Sequence, residues 1–268
     1  MNASVREHNL KAAVLWGSGG RAYDSISRSI ASGIDHAVER LNPASGERIL
    51  DVATGTGWTS RTVARCGAQV IGVDIADPLL DAAREIAKEH NLTIEYRRGD
   101  AENLPFNDGE FDAVISTFGV MFAIDQQRAA LELARICRQG GRLALAAWLP
   151  DSNAVRFRQV IQPYATVPPA PQPSPFAWGT PSWITTTLGN DFRMGFEEGV
   201  VVSRFTSPTA AWKAYTEGFG PMRAVAEALD DSRRNELQRA FTAWVGQYRT
   251  GLGVSIPFEY LVSVGQRV

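Results

Sequence analysis

Ile26, Ile30, Ile34, Val38 and Leu41 recur at steps of three or four, one apolar stripe that predicts a helix over 22–41 ending before Asn42-Pro43. From there the pattern alternates. Short apolar runs at 48–53, 69–74, 93–98, 111–117 and 142–148 read as strands, and 58–66, 77–90 and 126–138 read as helices. Leu79, Leu80, Ala83, Ile86 and Ala87 supply one buried face, and Pro78 sits in the first turn, where a missing N–H costs nothing. Strands alternating with helices predict a parallel sheet, built as one α/β domain.

After Trp148 the pattern changes. Pro163, Pro168, Pro169, Pro171, Pro173, Pro175 and Pro181 predict an extended loop, whose Phe176, Trp178 and Trp183 are costly to leave in water and so should cap something apolar. Residues 192–205 then read as a strand, 207–219 and 222–248 as helices, and 257–265 as a last strand. Both late strands should join the sheet edge, with the helices between them as an insertion.

Composition narrows the partners. A chain of 268 residues, 44% hydrophobic, can bury a full core, and a formal charge of -2 removes the electrostatic reason to expect nucleic acid. Cys66 and Cys137 stand far apart with no His or Cys at ligand spacing, which argues against a disulfide framework and a structural zinc, and fits a reducing cytosol. Residues 1–8 lack the apolar centre of a signal peptide, and no run of about 18 apolar residues occurs. A soluble, cytoplasmic protein without a membrane span is expected.

The chemistry concentrates where Arg48-Ile49-Leu50-Asp51-Val52 runs into Ala53-Thr54-Gly55-Thr56-Gly57. At Gly55 and Gly57 the backbone can approach a ligand where a Cβ would collide. Asp74 ends the next strand, about 20 residues past the loop, where doubly wound sheets hold ribose hydroxyls; a cap on the helix from 77 is the other reading. Asp100 ends the third strand and can accept from an exocyclic amine or simply close a turn. Ser116 to Gly119 end the fourth strand beside the same crevice.

In order, Leu50-Asp51 to Gly57, Val73-Asp74, Gly99 to Phe106, Phe111-Asp112 and Gly140 to Leu143 resemble the class I S-adenosylmethionine-dependent methyltransferases, and among them the quinone-biosynthesis and small-molecule group. The resemblance spans roughly 10–150. It implies a Rossmann-like, doubly wound, mostly parallel seven-stranded sheet with an antiparallel last strand and a helical insertion over the active site. Residues 1–42 would be an N-terminal lid and helices, 43–150 the S-adenosylmethionine-binding core, and 151–268 substrate-side insertions and the last two strands, all in one structural domain. Position by position, Asp51, Ala53, Gly55 and Gly57 would surround the methionine part, Asp74 the ribose, and Asp100 with Ala101 the adenine, with Thr54, Ile75 and Glu102 also binding the cofactor. Thr117 and Phe118 would flank the cofactor, and Trp16 and Tyr23 would contact it from a lid hinged at the neighbouring glycines, unless those two rings are ordinary core. Ala53 departs from the family's glycine and puts a methyl near the cofactor. Ser116-Thr117-Phe118-Gly119 also departs from the run used on DNA bases and protein amides, which points to a small-molecule acceptor.

Methyl transfer to such an acceptor demands orientation first, so a base need not exist. His8, Asp125 and Tyr215 are the weak candidates for one, with Glu217 beside them; His36 and His90 lie on helices read as facing solvent. Phe176, Trp178, Trp183, Trp212, Tyr215 and Phe219 would roof an apolar or aromatic acceptor or form the insertion's own core. No metal cluster is legible, and a homodimer is left open. The rival readings are a non-catalytic cofactor-binding or regulatory protein and a nicotinamide-dependent oxidoreductase. The latter needs a third glycine where Ser60 stands, and no tyrosine has a lysine four residues on. Neither a P-loop nor a Gly-x-Ser-x-Gly elbow occurs.

Overall fold

The structure is a computed structural model that describes residues 5–165 and 174–268. Its strands are β1 (Arg48–Val52), β2 (Gln69–Asp74), β3 (Glu95–Arg98), β4 (Phe111–Thr117), β5 (Cys137–Trp148), β6 (Phe192–Phe205), β7 (Arg249–Thr250) and β8 (Gly253–Arg267). Before β1 come α1 (Leu10–Gly17), α2 (Tyr23–Ser29) and α3 (Ala31–Leu41). Between the strands lie α4 (Trp58–Arg65), α5 (Asp77–Glu89), α6 (Gln126–Ile136), α7 (Asn153–Ile161) and α8 (Pro181–Leu188), then α9 (Pro208–Gly218), α10 (Gly220–Ala228) and α11 (Asp231–Gly246).

One eight-stranded sheet runs in the order β3-β2-β1-β4-β5-β8-β6, with the two-residue β7 set against β8. Strands β3 to β5 along that order are parallel, and β8 runs antiparallel to both β5 and β6. The expected seven long strands with an antiparallel last one are present, and β7 is the addition. Chain order reverses between β1 and β4, so the loops at the carboxyl ends of these strands flank a crevice.

The pleat decides which face each residue serves. Ile49 joins the core beneath α3 with Val38, Leu41 and Ile115, while Leu50 joins the opposite core with Val114, Leu133 and Ile136. Ala144 and Leu145 divide in the same way. The helical insertion extends the first core through Phe157, Tyr215, Phe241 and Trp244. Phe176, Trp178 and Ile184 extend the second.

Several boundaries differ from the pattern's reading. The helix expected over 22–41 breaks at Ile30, which leaves helical geometry at φ -117°. Serine hydroxyls of Ser25 and Ser29 bond back to the carbonyls of Ala22 and Ile26, a local alternative that weakens helix propagation. The helix expected over 222–248 is two, because Asp230 caps α11 by accepting from the Arg233 amide at 2.9 Å. Strand β8 starts at Gly253, ahead of 257, and β5 at Cys137, ahead of 142. The loop reading of 163–181 misses a 3-10 turn over Pro175–Gly179 and α8, where Pro181 occupies the one helical turn that tolerates proline. Pro168, Pro169, Pro171 and Pro173 lie outside the described residues.

Phe241, fully buried, meets the rings of Phe157, Trp212, Tyr215 and Trp244. Replacing it with Ala is expected to cost about 3–5 kcal/mol. Urea unfolding should remain one transition, moved to lower denaturant, since this core is continuous with the sheet.

Candidate cofactor site

The turn after β1 is organised by Asp51. Its carboxylate is 1% exposed, and Oδ2 accepts from Thr54 Oγ1 at 2.6 Å and Ser60 Oγ at 2.7 Å. Oδ1 has no partner among the described residues. Burial pushes this carboxyl from its ordinary 3.8 up to about 6, against the two hydroxyl donors that favour its charge. Ser60, read only as a missing third glycine, therefore helps to hold the acid. Its signal was a hydroxyl residue one helical turn after Gly57.

The chain reverses through left-handed geometry at Ala53 (φ 57°), Gly55 (φ 56°) and Gly57 (φ 80°). Gly55 faces the cleft. Gly57 does not, and a Cβ there would lie 2.3 Å from the Tyr96 hydroxyl, so this glycine answers to packing under the turn and not to ligand approach. Ala53 holds its strained conformation with its methyl against Gly119, where a Cβ would stand 2.6 Å away. A residue without a side chain at 119 makes room for the alanine at 53.

Asp74 and Ile75 follow β2 onto the cleft wall. Asp74 accepts from the Gly55 amide at 2.9 Å and the Ala76 amide at 3.0 Å. Helix α5 is capped at Ala76 without any side-chain bond, so Asp74 is not its cap. Burial raises the Asp74 carboxyl above its ordinary value. It also acts with the Asp74 charge to raise the Tyr23 phenol, which sits on the facing wall.

Asp100 and Ala101 line the cleft after β3. The Asp100 carboxylate is engaged from the N-terminal segment, by the Arg6 amide at 2.9 Å and Asn9 Nδ2 at 3.0 Å, and by the Glu102 amide at 2.9 Å. Glu102 is absent from the cleft wall. It lies behind, accepting from the amides of Ile124 and Asp125 and meeting His8 Nε2 at 2.6 Å. Asp100 and Glu102 thus anchor the segment before α1.

Helices α1 and α2 cross above the cleft. Trp16 and Tyr23 line it and pack with Phe219, at 5.6 and 6.5 Å between ring centres, while Trp16 also meets Phe122 at 5.0 Å. Asp24 ties α2 to the core through the buried Arg61 at 2.7 Å and Thr56 Oγ1 at 3.1 Å. Of the glycines expected to act as hinges here, Gly19 is a contact point, where a Cβ would strike the Gly218 carbonyl at 2.3 Å, while Gly20, at φ 47°, has open space around it.

Beyond Asp74 the cleft becomes apolar, with Ile30, Ile34, Trp58 and Phe118 on its walls. Phe118, at φ 55°, stacks on Trp148 at 3.9 Å. Thr117 and Thr59 share a hydrogen bond of 2.6 Å at this end. No Lys, Arg or His lines the cleft among the described residues.

None of the three candidate bases reaches it. His8 is held on Glu102, Asp125 caps α6 by accepting from the Arg128 amide, and Tyr215 is packed among Phe157, Phe205 and Phe241. Nor do Phe176, Trp178, Trp183, Trp212 or Phe219 line the cleft; they are core or back the roof. Asn9, Ser27, Thr59 and Phe122, which do line it, were missed because nothing but folding brings their elements there. His36, read as solvent-facing, is 16% exposed at its side chain and bonds the Tyr260 hydroxyl at 2.9 Å.

Ala53→Gly is expected to raise stability by about 0.5–1 kcal/mol, because relief of the left-handed strain exceeds the added freedom of the unfolded chain; urea unfolding measures it. For Asp51, the protonated form is the one folding favours. Its stabilising contribution is complete below about pH 4 and is lost as the pH rises through about 6. Wild type should therefore lose on the order of 2–3 kcal/mol relative to Asp51→Asn between those pH values, read from paired unfolding curves.

A methyltransferase-domain family model matches residues 50–145. An uncharacterized protein of Mycobacterium tuberculosis is 35% identical over 226 residues, covering 83% of this chain and 82% of that protein. The demethylmenaquinone methyltransferase of Thermus thermophilus is 38% identical over 135 residues, 48% of this chain and 61% of that protein. Among solved structures, the YcgJ protein of Bacillus subtilis superposes with a TM-score of 0.60 at 16% identity, over 88% of this chain and 98% of that one. With the sheet order and the glycine turn already in place, these matches identify the chain as a member of the class I S-adenosylmethionine-dependent methyltransferase family.

Proposed function

We propose that this protein transfers the methyl group of S-adenosylmethionine to an oxygen, nitrogen or carbon atom of a small apolar or aromatic acceptor. The observation that carries the reading is one cleft that crosses the strand ends, from Asp100 past β3 and Asp74 at the end of β2, by the glycine turn after β1, to the uncharged Thr117 and Phe118 at the end of β4. Asp74 is a suitable acceptor for a ribose diol, held rigid by the Gly55 and Ala76 amides. Asp51, buried with an unpartnered Oδ1, adds negative potential beneath the part of the turn where a cationic amino-acid moiety fits. The cofactor supplies an already activated methyl, so the protein's work is binding, alignment and exclusion of water. Trp16 and Tyr23 cover the cleft, and α1 and α2 serve as the lid over it. Ile30, Ile34, Trp58 and Phe118 offer an acceptor flat apolar walls, and the Thr59–Thr117 pair offers its polar atom a hydrogen bond. With no histidine on the wall, alignment is the main source of rate, and such positioning supplies roughly 7–11 kcal/mol in favourable cases.

The likeness to a protein named demethylmenaquinone methyltransferase supports an apolar acceptor. Among the described residues the wall carries no basic group to pair with a phosphorylated or carboxylated molecule, which supports the same choice.

Calorimetry with S-adenosylhomocysteine and with NAD is the first test. Tight binding of the former alone is expected, and the reverse would sink the proposal. Asp74→Ala should weaken S-adenosylhomocysteine binding by about 10- to 100-fold, the worth of one hydrogen bond to a charged acceptor. Its effect on thermal stability should be smaller. Labelled cofactor incubated with a panel of phenols, amines and quinone precursors should label at least one acceptor, whereas a non-catalytic protein would bind and label none.

A further inference from the structure

The sheet ends on β6, beyond which no further strand pairs among the described residues. β6 is 14 residues long, terminates the strand order, and pairs with β8 continuously from Phe192 to Phe205. It contains no proline, and the pairing has no bulge, two of the usual devices that blunt an edge. Its odd-numbered face is packed at Val201 and Ser203, with the Ser203 hydroxyl bonding Ser29 on α2. The even-numbered face is covered only at its start, where Phe192 is buried against the α8 side of the core. Beyond it Phe196, Glu198, Val200 and Arg204 are exposed and Val202 is half-buried. Phe196 and Val200 retain 38% and 58% exposure, an apolar pair set in a row on an open edge.

The charges in that row are arranged for a particular partner. Glu198 and Arg204 have no ion pair among the described residues, whereas Glu197 pairs with Arg40 and Arg267 with Asp191. Both lie on the open face, six residues apart and equidistant from Val201. In an antiparallel pairing of β6 with a second β6 about a twofold axis at Val201, Glu198 lies opposite Arg204 of the second copy, and Arg204 opposite its Glu198. Val200 and Val202 lie opposite each other on either side of the axis. Every opposed pair on the open face near the axis is then of opposite charge or both apolar, the combinations that stabilise cross-strand neighbours. A register centred on Glu198 instead sets the Glu198 carboxylates of the two copies against each other, like against like. A twofold contact of one strand with itself closes after two chains, so it makes a dimer and no fibre.

We propose that β6 is a dimerisation edge that pairs antiparallel with β6 of a second copy about Val201, joining the two sheets into one. The pairing leaves the cleft open, since the crevice lies at the carboxyl ends of β1 to β4.

Sedimentation of the full-length chain at micromolar concentration tests this. The wild type should sediment as a dimer. Glu198→Arg and Arg204→Glu each place two like-charge pairs across the axis, and each should weaken dimerisation by about tenfold or more. The double variant E198R/R204E restores opposite charges with their positions exchanged and should return the dissociation constant to about the wild-type value. Val200→Lys should also split the dimer, while its thermal unfolding stays close to that of the wild type, since the position is exposed. A wild type that stays monomeric overturns the proposal. So does a dimer unaffected by Glu198→Arg, which would be built through another surface, and so does a double variant that stays as weak as the single ones.

Discussion

The site depends on one buried carboxylate. Asp51 is the next-to-last residue of β1, and with its side chain it closes the following turn from inside, through Thr54 and from the first turn of α4 through Ser60. Everything that faces the cleft is referred to that closure. The turn then presents the Gly55 amide to Asp74, which ties the end of β1 to the end of β2. An ionised acid without a full set of donors is unfavourable in a core, and burial raises its pKa accordingly. A protein that keeps such a group accepts reduced stability at neutral pH in exchange for a negative potential under its binding loop.

The same economy governs the shapes around it. Ala53 adopts a conformation suited to glycine, and the space its methyl needs is left by Gly119 on the neighbouring strand's loop. Gly57 yields its volume to Tyr96, which in turn packs beneath β2 against Gly72. Small residues here are paired with large or strained ones across the sheet edge. The crevice at the switch point keeps its form because these contacts leave little freedom to rearrange.

The N-terminal segment is bound to the core by charge as well as by rings. Asp100 and Glu102 hold Arg6, His8 and Asn9, while Arg61 holds Asp24 from the side of the glycine turn. One attachment uses the segment after β3 and the other α4 with the glycine turn, the same elements that bear cleft-lining residues, so covering the cleft and building it are coupled. The helical insertion stands behind this cover and buttresses it through Phe219 and close backbone contacts at Gly218 and Gly220. Among the described residues, none of the insertion lines the cleft itself.

Much of this architecture was legible in the chain, because a parallel α/β sheet writes itself locally. Strands β2, β4 and β6 stand at the boundaries their apolar runs predict, and Asp74, Asp100 and Thr117 reach the cleft because each stands at or just past the carboxyl end of a strand. Position after a strand is a local property, and topology converts it into proximity. What tertiary structure alone decided is which way the side chains are spent. Glu102 and His8 pair with each other away from the cleft, Tyr215 joins an aromatic core, Gly57 serves Tyr96, and Ser60 supports Asp51. Those outcomes rest on contacts between elements up to 94 residues apart, set by packing and by the need to satisfy buried polar groups, and no spacing within one element encodes them.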